Sequence, residues 1–244
     1  MKQFFLSFII IIASFNIHAQ NTKSLVYDAN VEARTVGAFS SVQVSGAIDL
    51  YLLQGSDEGV AISANNNETK ALIKTEVTNG VLHIFMDGKG WNLKSWGNTK
   101  SKAYVSFKDI KQVEANGACN IIVVETIKLV NLKIDCSGAS DFKGAVAITN
   151  LNITASGASN IRISGNAVNA TMEATGASNI KGYELKADNC KAEASGAANI
   201  RITVSKDFRA EASGGATIYY KGEANISSVS TSGGASIKKR ADNE

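Results

Sequence analysis

One short motif returns through the second half of the chain at nearly constant intervals: Asn116-Gly117-Ala118, Ser137-Gly138-Ala139, Ser156-Gly157-Ala158, Thr175-Gly176-Ala177, Ser195-Gly196-Ala197, Ser213-Gly214-Gly215 and Ser232-Gly233-Gly234. An earlier copy is Ser45-Gly46-Ala47. From Gly117 to Gly233 the glycines stand 21, 19, 19, 20, 18 and 19 residues apart. A unit this short cannot bury an apolar side alone, so the copies have to stack and share one interior.

Aligning the copies on their glycine yields columns that alternate in polarity with the period of a strand. Two, four and six residues before the glycine stand Cys136, Ile134 and Leu132, then Ala155, Ile153 and Leu151, then Ala174, Met172 and Ala170. The column three before it is polar: Glu114, Asp135, Thr154, Glu173, Glu193, Glu211 and Ser230. Four residues after the glycine comes an apolar column of Ile121, Phe142, Ile161, Ile180, Ile200, Ile218 and Ile237. Asparagines precede it at Asn160, Asn179 and Asn199, and cations follow it at Lys143, Arg162, Lys181 and Arg201.

Each copy is therefore strand, tight glycine corner, strand. Copies running in the same sense pair in parallel, with rungs about 4.8 Å apart. The pattern predicts an all-β, parallel single-stranded β-helix (solenoid) of about 19–20 residues per rung, right-handed by the crossover rule. A complete lack of proline in 244 residues fits a backbone whose N–H groups are nearly all committed to ladders. No helical period lies between the strands, which disfavours a leucine-rich solenoid.

Residues 31–111 alternate on their own terms, at Val42/Val44, Ile48/Leu50/Leu52, Val60/Ile62, Ile73/Thr75/Val77, Leu82/Ile84/Met86 and Val105/Phe107. They read as an N-terminal β segment that continues the regular rungs of 112–237 and covers the first of them. Residues 238–244 form a charged tail, expected to fray. Residues 1–20 read as a secretory signal peptide. Lys2 begins it, Phe4–Ile12 is apolar, and Ile17-His18-Ala19 makes a small-residue ending for cleavage before or just after Gln20. That apolar run is well short of the roughly 20 residues that span a bilayer, so no transmembrane anchor is expected.

The leader, the F-x-x-V-x-V-x-G of Phe39–Gly46, the T-x-V-x-x-G-x-L of Thr75–Leu82 and the S-G-A-S-x-I copies together resemble the "putative auto-transporter adhesin, head GIN domain" family of bacterial envelope proteins. The resemblance spans 31–237. It implies a β-helical exported protein of adhesin type, located in the periplasm, on the outer surface or outside the cell.

The chemistry of the residues points the same way. A formal charge of +3 is too small for nucleic-acid binding by charge alone. His83 is the one histidine beyond the leader, and Leu82-His83-Ile84 places it on the solvent side of a strand. No nucleophile elbow, phosphate loop or zinc-protease motif occurs. Glu173, Glu193 and Glu211 stack on successive rungs and offer a cation site or an acid/base pair. Lys133, Lys191 and Arg209, two residues earlier, are their expected neutralising partners. The asparagine column reads as rung-to-rung amide stacking, and the basic column as either a solubilising row or a surface for acidic glycans or phosphates. Cys119, Cys136 and Cys190 fall in three different columns, too far apart to bridge, and are expected free and buried.

The remaining candidate is residues 88–102, a polar loop carrying Trp91, Trp96 and Lys94, which is expected either to stack on a ligand or to cover the open end of the β-helix. The reading is a non-enzymatic exported binding protein that presents a rigid surface to glycan or to an envelope or surface protein, with no cofactor and no metal. The alternatives are a polysaccharide lyase or hydrolase and a purely structural envelope protein.

Overall fold

The computed structural model describes residues 30–88 and 101–241. The expected signal peptide, Trp91, Lys94 and Trp96 lie outside these residues. In chain order the strands are β1 (Glu32–Arg34), β2 (Ser41–Gly46), β3 (Ile48–Gln54), β4 (Gly59–Ser63), β5 (Ile73–Thr78), β6 (Val81–Met86), β7 (Ser101–Phe107), β8 (Gln112–Gly117) and β9 (Asn120–Val123). They continue as β10 (Ile127–Cys136), β11 (Asp141–Ala155), β12 (Asn160–Ala174), β13 (Asn179–Ala194), β14 (Asn199–Ala212), β15 (Thr217–Lys221), β16 (Asn225–Thr231) and β17 (Ser236–Lys239). One short helix, α1 (Asn67–Leu72), is capped by Asn66, whose side chain accepts the Thr69 N–H at 2.7 Å.

The regular part is a parallel β-solenoid. Strands β10 to β14 pair in sequence and in register, so that Glu173 faces Glu193 and Ile161 faces Ile180. At the corners Gly46, Gly117, Gly138, Gly157, Gly176, Gly196, Gly214 and Gly233 all have φ between 69° and 97°. Their spacing is close: a Cβ added at Gly157 would lie 2.7 Å from the Gly138 carbonyl oxygen, and one at Gly176 would lie 2.8 Å from that of Gly157. From Gly117 to Gly214 the residue after the glycine donates its N–H to the glycine carbonyl of the rung below, as from Ala139 to Gly117 at 2.7 Å and from Ala177 to Gly157 at 2.8 Å. Backbone conformation and clearance thus both require glycine here.

The expected inward columns form the core. Ile134, Ile153, Met172, Ala192 and Ala210 are buried on one side of the corner, and Ile121, Phe142, Ile161, Ile180, Ile200 and Ile218 on the other. The small corner residues enter it too: Ser140, Ser159 and Ser178 are fully buried, and their hydroxyls donate to the carbonyls of Ser137, Ser156 and Thr175 at 2.8–2.9 Å. Cys119 takes the serine's place one rung earlier, and its thiol points to the Asn116 carbonyl at 3.5 Å.

The N-terminal segment is β structure joined to the same stack, with a spatial order the repeats do not display. Strands β2 and β3 lie between two other rungs. They pair with β6 and β7 on one side and with β8 and β9 on the other. The chain therefore begins in the second rung, crosses out to build the outermost one, and returns over the first. Antiparallel strands finish that end: β5 on β6, β4 on β7, and β1 on β4. At the far end β17 carries the ladder through Lys239, past the point at which the charged tail was expected to start.

Two amide ladders run up the outside. Asn199 donates to Asn179 and Asn179 to Asn160, at 3.3 and 3.2 Å, as the asparagine column predicts. A second joins Asn189, Asn169, Asn150 and Asn131 at 2.9–3.0 Å.

All three cysteines are free and buried. Burial pushes the thiols of Cys136 and Cys190 up to about 12.

Two predictions follow from this packing. Gly157→Ala should lower the unfolding free energy by about 3 kcal/mol in urea titrations followed by circular dichroism, because it combines left-handed strain with a backbone clash. Gly55→Ala, with nothing within 4 Å, should change it little. Unfolded thiols lose their protons from about pH 9, whereas the buried pair hold theirs to about 12. Stability should therefore fall as pH rises through that window, by up to about 1.4 kcal/mol per unit for each thiol. The double variant Cys136→Ala with Cys190→Ala should show a shallower slope.

Candidate functional site

Register turns each sequence column into a physical row on one face of the stack. The polar column before the corner becomes Glu76, His83, Gln43, Glu114, Asp135, Thr154, Glu173, Glu193, Glu211 and Ser230. Much of this row is internally satisfied. His83 Nδ1 meets Gln43 Oε1 at 2.6 Å, and Gln43 donates to Glu114 at 2.9 Å. Lys133 pairs with Asp135 at 3.0 Å and Lys191 with Glu193 at 2.5 Å. Glu193, and more weakly Glu211 and Glu173, hold the exposed Lys191 ammonium above its ordinary pKa. Arg209, expected to serve the same row, instead turns to Asp207 at 3.4 Å and Ser227 at 3.0 Å. Among the described residues no group of three His, Cys, Asp or Glu could hold a metal ion.

The column after the corner is different. It runs Tyr104, Tyr51, Ile122, Lys143, Arg162, Lys181, Arg201, Tyr219 and Lys238. Lys143, Arg162 and Arg201 are exposed and Lys181 is half-buried. Among the described residues none of these four has an ion-pair or hydrogen-bond partner for its side chain. Neighbouring rungs hold these like charges about 5 Å apart at the backbone, an arrangement that costs stability.

These cations line a lateral groove of about 1010 Å³. It crosses the rungs from β7 to β14 and so runs roughly 30 Å along the stack. Its floor is low because Gly144, Ala145 and Ser164 are small. A Cβ at Gly144 would come within 2.6 Å of Val123 Cγ2. At the outer end Tyr51 and Tyr104 stack with ring centroids 5.2 Å apart, and Tyr104 is almost fully buried. At the other end Tyr183 stands in a bulge of β13, where the register with β14 breaks between Gly182 and Lys186. The Thr203 hydroxyl donates to the Tyr183 carbonyl at 2.8 Å, and Lys221 Nζ sits 4.7 Å from the ring centre. Among the described residues Glu184 is the single carboxylate lining the groove, against Lys102, Lys143, Arg162, Lys181 and Arg201.

The sequence pattern named the cation row but not the groove. Tyr51 and Tyr104 come from strands far apart in the chain, and nothing in their local sequence announces the pair. The bulge does leave a trace, since the interval from Gly176 to Gly196 is 20 residues and the next is 18. Trp91, Trp96 and Lys94 lie outside the described residues. Lys102, in β7, is a described residue that lines the groove.

Among the described residues no helix is long and apolar enough to cross a membrane.

The profile of the family described as "Putative auto-transporter adhesin, head GIN domain" matches residues 38–224. No curated protein matches the chain. Among solved structures, a putative adhesin from Bacteroides fragilis NCTC 9343 superposes with a TM-score of 0.80 at 21% identity, covering 86% of this chain and 96% of that one. A putative lipid binding protein from Parabacteroides distasonis ATCC 8503 gives 0.67 at 18% identity, with 87% and 98% covered. A putative adhesin from Parabacteroides merdae ATCC 43184 gives 0.65 at 18% identity, with 87% and 97% covered. At these identities the likeness is one of fold.

The unpaired cations generate a stability prediction. Arg162→Gln should raise the unfolding free energy by about 0.5 kcal/mol at low ionic strength, and the gain should shrink as salt screens the row. Thermal melts at the two ionic strengths measure it.

Proposed function

Because the chain belongs to the auto-transporter adhesin head GIN domain family, we propose that it is an exported, non-enzymatic adhesive module whose lateral groove meets a glycan or another component of the cell envelope. The observation that carries this is the contrast between two rows on one rigid stack: Lys133 and Lys191 are paired with carboxylates, while Lys143, Arg162, Lys181 and Arg201 are left open. Proteins commonly give up stability at sites kept for a ligand, and a fixed row of like charges is such a concession. Tyr51, backed by the buried Tyr104, at one end and Tyr183 at the other supply flat apolar surface beside polar donors, which suits sugar rings and protein partners alike.

Trp91, Trp96 and Lys94, read from the sequence as ligand contacts, belong to the same proposal as a second contact. The reading of residues 1–20 as a secretory signal peptide supports a location beyond the inner membrane. Against a hydrolase or lyase stands the geometry of the acidic row. Glu173, Glu193 and Glu211 line a shallow depression of about 230 Å³, and Lys191 pairs with the middle carboxylate. His83 is held by Gln43 rather than by a nucleophile.

Attachment of protein-coated beads to envelope fragments tests the reading. Arg162→Glu with Lys181→Glu should cut attachment by about tenfold, and Trp91→Ala with Trp96→Ala should weaken it by a few-fold. Lys191→Gln, on the other face, should leave it unchanged. Attachment indifferent to the groove variant would remove the groove from the function.

A further inference from the structure

We propose that the groove's ligand is a linear acidic polysaccharide of the polyuronide class, with one carboxylate per sugar, lying along the stack with its same-side carboxylates on Arg162 and Arg201. The inference rests on the groove being the binding face and adds the chemistry of what fills it.

The charges form a line, not a cluster. Lys143, Arg162, Lys181 and Arg201 occupy one column on four successive rungs, so they extend over roughly 15 Å. A single phosphate or carboxylate would engage one or two of them, whereas a polymer with repeating negative charge engages all. The residue types alternate as well. Arginine, whose planar fork holds a carboxylate with two parallel hydrogen bonds, recurs every second rung, roughly 10 Å apart, with lysine as a point charge between.

A pyranose residue in an extended polysaccharide advances the chain by about one rung spacing. In a polymer with a twofold repeat, successive substituents point to opposite sides, so every second carboxylate faces the same wall. That period is the period of the arginines. At the outer end of the line, Tyr51, stacked on the buried Tyr104, presents aromatic surface for the apolar face of a sugar.

The interior excludes the other obvious occupant of a basic groove with apolar edges, a lipid. An acyl chain needs an apolar cavity, and beneath the cation row Phe142, Ile161, Ile180 and Ile200 are at most 1% exposed and fill the core. Among the described residues the groove is a surface track and not a cavity of that kind.

The test uses the full chain and an oligogalacturonate long enough to cover the row, compared by calorimetric titration with the same oligomer methyl-esterified, which keeps its shape and loses its charge. The acidic oligomer should bind, more weakly as salt is raised, and the ester should bind at least about tenfold less tightly. Arg162→Lys with Arg201→Lys, which preserves charge and removes the forks, should weaken binding by at least about threefold. Lys143→Arg with Lys181→Arg should not weaken it. Circular dichroism confirms that each variant is folded.

Equal affinity for the ester overturns the proposal, as does indifference to the arginine-to-lysine change. Equal or tighter binding of phosphatidylglycerol vesicles or of a single-stranded oligonucleotide through the same residues overturns it too. If the ester binds and Arg162→Glu with Lys181→Glu abolishes that binding, the groove remains the binding face and only the acidic-polymer inference falls. If that charge-reversal variant leaves bead attachment intact, the functional reading falls with it.

Discussion

The whole molecule depends on how closely one corner can approach the next. At the corners from Gly117 to Gly214 a glycine with positive φ lies under the carbonyl oxygen of its neighbour at a distance that admits no side chain, and the following N–H closes a short hydrogen bond across the gap. A larger residue would strain the backbone and also push the rungs apart. Because the corners are superimposed, every position counted from them is superimposed as well. Isoleucines fall on isoleucines inside, and amides fall on amides outside, where each satisfies the next.

The same alignment leaves little freedom over charge. Any ionisable residue given a place in the repeat becomes part of a row at strand spacing, and a row of like charges has to be neutralised, diluted or used. The acidic row is diluted by Thr154 and by Gln43, and is partly neutralised by Lys133 and Lys191 from two residues away. The basic row has no such provision. Its nearest acidic neighbour in the groove is Glu184, which stands in the β13 bulge outside the regular column. The difference between the two faces is therefore one of arrangement, since both are built from the same repeat by the same backbone.

Much of this was legible in the linear chain, for a physical reason. In a parallel stack with a constant period, neighbours in space are separated by a constant number of residues, so a column written on paper is a ladder in the fold. The buried isoleucines, the asparagine ladder of Asn160, Asn179 and Asn199, and the mutual isolation of Cys119, Cys136 and Cys190 all follow from counting. The second ladder, through Asn131, Asn150, Asn169 and Asn189, obeys the same count and was readable by it, though the glycine motif draws attention away from the opposite side of the rung. Arg209 shows the limit of counting. Its column placed it beside Glu211, but a long side chain chooses among nearby acceptors, and it took Asp207 and Ser227.

What the sequence determined by itself is the repeat: a parallel solenoid, its corners, its inside and outside, and the identity of each row, because period and polarity are local properties that every copy restates. Only the tertiary structure decided the order of the first rungs, with β2 and β3 lying between β6–β7 and β8–β9. That choice is made by strand pairing within a segment that does not repeat, and no period records it. That decision brings Tyr104 beside Tyr51 and sets Lys102, in the register of Asp49 and Asn120, at the outer end of the groove. A repeat can be read one copy at a time, whereas a groove across several rungs exists only once they are stacked.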